Sequence, residues 1–311
     1  MPPSPRFDTE STDSNDSSQP SVTRRSVVQS VAAGALATIG GLSTVAADSD
    51  DEYETITVDA GEHRTIAVED GETFEDVLID CTADGAHVTV SAQGTDWTIR
   101  NVGIEGRVSG KNAVFGVADT GGNTSTIENV YLGDGATNGH RIGLGIWVAP
   151  EHDGHIDIER VNIQEMGDNS FYCSAPGNAG GGTVDMRNCY SANSWVSHFR
   201  LSDGCVENCT AVNDERHKDG RGVWAWSPGT VEVTDCDLLM NGRHYAIEAG
   251  ANGSGTTVDV SETAFTTDFH GGTNAVDGST IDISDEPDRD PADELPDGCP
   301  DSASVAAAGN R

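Results

Sequence analysis

One short pattern recurs along this chain and limits the fold more than any other feature. It runs apolar, polar, Asn-like, then Val or Cys. It appears as Ile99-Arg100-Asn101-Val102, Ile127-Glu128-Asn129-Val130 and Ile158-Glu159-Arg160-Val161. It continues as Met186-Arg187-Asn188-Cys189, Val206-Glu207-Asn208-Cys209, Val233-Thr234-Asp235-Cys236 and, degraded, Val260-Ser261-Glu262-Thr263. Successive intervals are 28, 31, 28, 20, 27 and 27 residues. Such spacing, with strand alternation and Gly/Asn/Asp turns between, specifies a solenoid. Each repeat is too short for a four-stranded propeller blade and lacks the helix of a leucine-rich repeat. One coil of an all-β, right-handed parallel β-helix fits it, with coils ~4.8 Å apart. Stacked at one turn, each Asn amide can donate to one neighbouring coil and accept from the other. Where Arg160, Asp235 and Glu262 replace Asn, more open turns are expected.

The two ends differ from this middle. Residues 1–22 are rich in Ser, Pro and Asp. Thr23-Arg24-Arg25-Ser26 then precedes a small-residue apolar run, Val31 to Ala47, which reads as a signal region 1–47 of twin-arginine (Tat) type, removed on export. A membrane anchor is the alternative, but Gly34, Gly40 and Gly41 make the run weakly apolar. Residues 284–311 are acidic and Pro-rich without apolar period, and read as a disordered tail. Residues 48–283 remain for a single β-helix domain with an N-terminal cap.

Charge bounds the partners. The 311 residues hold 52 acidic against 17 basic side chains, net −35, and only Lys111 and Lys218 are lysines. That field excludes a nucleic-acid binder. A patterned, acidic, lysine-poor chain is expected in molar salt, where the Debye length is ~3 Å or less and self-repulsion is muted.

Together the I-x-N-V pattern, the Tat-like signal and the acidic composition resemble the secreted pectate-lyase-like β-helix proteins of haloarchaea, over Thr73 to Ile283. The resemblance implies the fold and leaves the reaction open, since this fold houses lyases, glycoside hydrolases, epimerases and adhesins. The aspartate cluster and R-x-P-x-x-R of the pectate lyases are absent. Trp195-Val196-Ser197-His198 lacks the Asp of their W-I-D-H segment.

A second strand set lies between the repeats: Val114–Val117, Ile146–Ala149, Phe171–Ser174, His198–Leu201, Val223–Trp226 and Tyr245–Glu248. Alternation turns Ile146, Phe171, Phe199, Val223, Ala225 and Ile247 inward. It turns Trp147, Tyr172, His198, Arg200, Trp224, Trp226, His244, Ala246 and Glu248 outward. Trp147, Tyr172, Trp224 and Trp226 are then substrate-binding candidates, since aromatic faces stack on sugar rings. Bases gather in the same coils: Arg200, Lys218, Arg221 and Arg243, with His198 and His244. Arginines suit the carboxylates of a uronate polymer, and β-elimination needs a base for the proton α to that carboxylate. The catalytic candidates are therefore His198, Arg200, Lys218, Arg221, Arg243, His244 and Glu248. Three function classes stay open: a lyase of acidic polysaccharide, a glycoside hydrolase using two carboxylates, and a non-catalytic glycan-binding surface protein, each expected as a monomer. No cofactor motif occurs, and abundant carboxylates leave calcium open. Cys189, Cys209 and Cys236 share one column and are expected to pack as buried thiols.

Overall fold

A computed structural model describes residues 22–23, 53–137, 139, 141–176, 181–214, 218–226, 228–251, 253–285 and 287–309. The signal region, Val22–Thr23 apart, lies outside the described residues. Every strand pairing is parallel, and consecutive coils stack in register into a β-helix. The first sheet runs His63–Ala67, His87–Gly94, Ala113–Asp119, Leu144–Val148, Phe171–Cys173, Ser197–Leu201, Arg221–Ala225, Ile247–Ala249 and Thr273–Ala275. The second includes Thr98–Glu105, Thr124–Leu132, His155–Gln164, Thr183–Arg187, Gly204–Glu207, Thr230–Thr234 and Thr257–Ser261. Later coils carry separate strands on a third face, Tyr190–Ala192, Thr210–Val212 and Asp237–Leu239. In earlier coils one bent strand serves both faces. His155–Gln164 pairs with Thr183–Arg187 through its first half and with Tyr190–Ala192 through its second.

The bend is the recurring Asn position. Asp76, Asn101, Asn129, Arg160, Asn188, Asn208, Asp235, Glu262 and Asp285 all have φ between 47° and 56°. This left-handed region disfavours most side chains and is best tolerated, after Gly, by Asn and Asp. The expected amide ladder is present: Asn101 Nδ2 donates to Asp76 (2.7 Å), Asn129 to Asn101 (2.8 Å) and Asn208 to Asn188 (2.6 Å). The expectation of more open turns at Arg160, Asp235 and Glu262 is corrected. Their φ of 53°, 52° and 50° matches that of the Asn coils. The stacked strands impose the turn whichever residue occupies it, and Arg160 there pairs with Glu128 and Glu159 instead.

Inward residues of both sheets make one continuous core, with Phe171 and Phe199 stacked at 5.1 Å. Cys189, Cys209 and Cys236 are fully buried reduced thiols in a column, each donating to the backbone carbonyl two residues earlier at 3.2 Å. No helix of the described residues is long and apolar enough to cross a membrane.

Beyond Ser284 the chain leaves the coils as a tail, but it is docked rather than solvated, which corrects that part of the sequence reading. It runs back along the third face against the order of the coils. Arg289 pairs with Asp237, and Thr210 Oγ1 donates to Glu294 O (2.9 Å). Tyr190 Oη donates to Asp293 (2.8 Å), Asn162 Nδ2 to Pro300 O (2.8 Å) and Asn129 Nδ2 to Ala306 O (3.0 Å). The tail ends in a short helix, Ala303–Ala308, seated on Gly103, where any Cβ would fall 1.8 Å from the carbonyl of Ala303. Its anchors are mostly backbone carbonyls, which carry no apolar period, so the sequence pattern misses them. Truncation after Asp285 is expected to lower stability by about 2 kcal/mol through lost hydrogen bonds and the burial of Cys299, Ala306 and Ala307. Unfolding midpoints in urea for the two lengths of chain check this; equal midpoints would show that the tail contributes nothing.

Candidate functional site

The register of the first sheet builds one outward row. Gly116 pairs with Trp147, Trp147 with Tyr172, Tyr172 with Arg200, Arg200 with Trp224, Trp224 with Glu248 and Glu248 with Asn274. The inward neighbours Ile146, Phe171, Phe199, Val223 and Ile247 are fully buried, which locks the alternation and so aims this row at solvent.

Arg200 is the centre of the row. Its guanidinium carbon lies 4.1 Å from the centroid of Tyr172, 4.6 Å from Trp224 and 3.9 Å from Trp226. Nε donates to Ser174 Oγ (2.8 Å) and Nη2 to Tyr172 Oη (3.4 Å). Only 7% of the residue is exposed, and burial among rings pulls its pKa down to about 10, so it remains a cation at neutral pH. Among the described residues no carboxylate makes a direct salt bridge with it, and the charge of Asp168 acts on it only from farther away, raising its pKa against the effect of burial. That is unexpected in a chain where acids outnumber bases threefold, and where Arg64, Arg100, Arg160, Arg187, Arg221 and Arg289 all have acidic partners. Beside it, Trp226 Nε1 is a buried donor with no hydrogen-bond partner among the described residues.

On the next coil Arg221 donates to Glu248 (2.6 Å) and lies 4.0 Å from the Trp224 ring centroid, so two guanidiniums pack on one indole. Trp224 Nε1 donates to Gly250 O (3.3 Å). Trp147, Tyr172, Trp224 and Trp226 are each half-buried, and the rings of the last three close around Arg200.

The structure therefore joins Trp147, Tyr172, Arg200, Arg221, Trp224, Trp226 and Glu248 in one row; His244 lies near Arg221 but outside the row, and the rest are held elsewhere. His198 is corrected from an outward base to an interior residue. It is fully buried, with Nδ1 2.8 Å from Ser191 Oγ and Nε2 donating to Asn213 Oδ1 (3.0 Å). Burial lowers its pKa to about 4. Ala246 is interior as well. Lys218 is bound to Glu165 (3.1 Å) and almost closed to solvent. Arg243 Nε donates to Lys218 O (2.9 Å), which holds it on that loop. His244 accepts from Tyr245 N through Nδ1 (2.8 Å) and stacks on Phe269 (5.5 Å). Burial, then the nearby Arg221 charge, lowers its pKa to about 4.

Ser174 is the residue sequence reasoning missed. Its signal was available: it follows Tyr172 by two on a strand, hence on the same outward side. Chemically the row offers a guanidinium between flat rings with no carboxylate in direct contact, an arrangement that can accept a planar anion. It offers no accessible imidazole. Compared with known protein families, with curated proteins and with solved structures, the chain matches none.

Proposed function

We propose that this protein is an exported, salt-adapted β-helix protein that binds an anionic, uronate-containing polysaccharide along the outer face of its first sheet. The observation that carries this reading is Arg200, a cation held among three rings with no carboxylate in direct contact, Asp168 acting on it only from farther away. A buried charge left unpaired is costly, and an incoming carboxylate would relieve that cost through charge-assisted hydrogen bonds. Coils ~4.8 Å apart make the row of Trp147, Tyr172, Trp224 and Trp226 a track for successive sugar rings. Binding without cleavage is the reading the histidines favour, since His198 is interior and His244 has one nitrogen taken by the backbone.

A lyase reading rests on one further observation, the desolvation of Arg200, whose lowered pKa of about 10 brings it nearer to the range of a base. Removal of the proton α to the carboxylate would then expel the substituent β to it and leave a carbon–carbon double bond.

The test is affinity electrophoresis or calorimetry of the full chain with polygalacturonate, alginate and a neutral glucan, together with the ultraviolet absorbance of newly formed unsaturated ends. Binding to the uronates and not to the glucan is expected. Arg200→Ala should weaken it by about 10-fold or more, the scale of one charged hydrogen bond, and Trp224→Ala similarly. Equal binding of the neutral glucan, or an Arg200→Ala variant that binds like the parent, would overturn the proposal. New absorbance at alkaline pH that disappears in Arg200→Ala would decide for the lyase reading.

A further inference from the structure

On the second sheet, away from the aromatic row, three side chains from two coils meet without a role in glycan binding. His155 and Asp157 alternate on one strand, so both face outward, and Asp157 is in register with Asp185 of the next coil. His155 Nδ1 is 2.8 Å from Thr183 Oγ1, its register partner. That contact aims the other nitrogen at the carboxylates: Nε2 lies 3.2 Å from Asp157 Oδ1 and 3.7 Å from Asp185 Oδ2. The three ligand atoms all lie within 4.8 Å of one another. We infer that His155, Asp157 and Asp185 form a binding site for a first-row divalent transition ion such as zinc.

The geometry requires little adjustment. Zinc–nitrogen and zinc–oxygen bonds of ~2.0–2.2 Å place tetrahedral ligands roughly 3.4 Å apart, close to the two distances from Nε2. Thr183 supplies the outer contact that orients a ligating imidazole and fixes which nitrogen is free. One imidazole with two carboxylates suits zinc, nickel or manganese better than calcium, which takes oxygen ligands only.

A cation already stands at these oxygens. Arg187 Nη1 donates to Asp157 Oδ1 (3.0 Å) and Nη2 to Asp185 Oδ2 (2.6 Å), while Nε reaches Glu207 (3.2 Å). The guanidinium gathers carboxylates from separate coils onto one positive charge, as a metal would. For an ion to enter, Arg187 must release two oxygens and keep the third, Glu207. The side chains of His155, Asp157 and Arg187 are 29%, 38% and 38% exposed. Asp185 and Arg187 also line a shallow depression with Asp203, Cys205, Glu207 and Glu232, so an ion has a route to that side of the site.

The test uses the full, chelator-treated chain, with zinc chloride titrated against a chromophoric chelator at neutral pH and calcium chloride as the comparison. The expected result is one zinc per chain, bound at least ~10-fold more tightly than calcium. His155→Ala should weaken zinc binding by ~10-fold or more. Arg187→Gln should tighten it several-fold, because the competing cation is gone. A general coat of carboxylates would bind both ions alike and ignore both substitutions. Zinc and calcium bound equally, zinc binding indifferent to His155→Ala, or Arg187→Gln weakening it would each overturn the inference. Because the site lies outside the aromatic row, its outcome is independent of the glycan assays.

Discussion

Asp119→Asn is expected to destabilise the protein by about 3–5 kcal/mol, the range for removing one partner from a buried charged network. Asp119 is fully buried at the corner between the first and second sheets. Oδ2 accepts from Asp96 N (3.0 Å) and Ser125 Oγ (2.6 Å), and Oδ1 from Gly121 N (3.1 Å) and Asn123 N (3.0 Å). Ser125 Oγ in turn accepts from Trp97 N (3.2 Å), so one carboxylate organises two consecutive turns. Burial pushes its pKa up, but the hydrogen bonds from Ser125, Asp96, Asn123 and Gly121 outweigh burial and hold it below the ordinary carboxylate value. An amide would turn donors toward donors and leave at least one N–H unsatisfied. Urea unfolding of Asp119→Asn beside the exposed control Asp282→Asn measures the difference. A loss below about 1 kcal/mol, no larger than an average substitution, would show that the network is not what holds this corner.

The second large effect concerns pH. His198 is neutral in the folded state, with its pKa brought by burial from 6.5 to about 4. In the unfolded chain it binds a proton at higher pH than in the folded one. Between those two values the unfolded state therefore holds more protons, and stability rises with pH. The contribution is complete above pH 6.5 and is lost as pH falls toward 4, amounting to about 3 kcal/mol at the bottom of that window. His87 and His244, with pKa values also lowered to about 4 by burial, add to the same slope. Thermal midpoints across this window should fall steadily with acidity. His198→Gln, which keeps a donor for Asn213, should flatten the profile. An unchanged slope in that variant would mean that His198 is solvated or already charged.

The same residue shows where sequence reading stopped. Arg200, Tyr172 and Trp224 were legible as neighbours because strand alternation and a coil-length repeat determine both side and register. His198 precedes Phe199 by one, so alternation alone turned it outward. It lies near the start of its strand, where Ser191 of another strand and Asn213, just past Thr210–Val212, draw the ring inside. Lys218 has its partner on Glu165, distant in sequence, and no local pattern encodes such a pair. The docked tail is the same case on a larger scale, since its anchors are backbone carbonyls of residues without periodicity. The triad His155, Asp157 and Asp185 was hidden for the opposite reason: in so acidic a chain no single carboxylate stands out until register sets it opposite a histidine.

The sequence by itself determined that this chain is a parallel β-helix, and which residues of most strands turn inward, His198 and Ala246 being the exceptions. A solenoid repeats one local problem, and period, alternation and a left-handed Asn corner solve it within a single coil. Only the tertiary structure decided which polar groups meet between coils: Arg200 set among three rings with no carboxylate in direct contact, His198 taken into the core, and His155 turned toward two aspartates. Those outcomes depend on stacking offsets of a few ångströms and on contacts between residues far apart in the chain. The sequence pattern carries the coil, but the distances that decide chemistry arise only when coils are stacked.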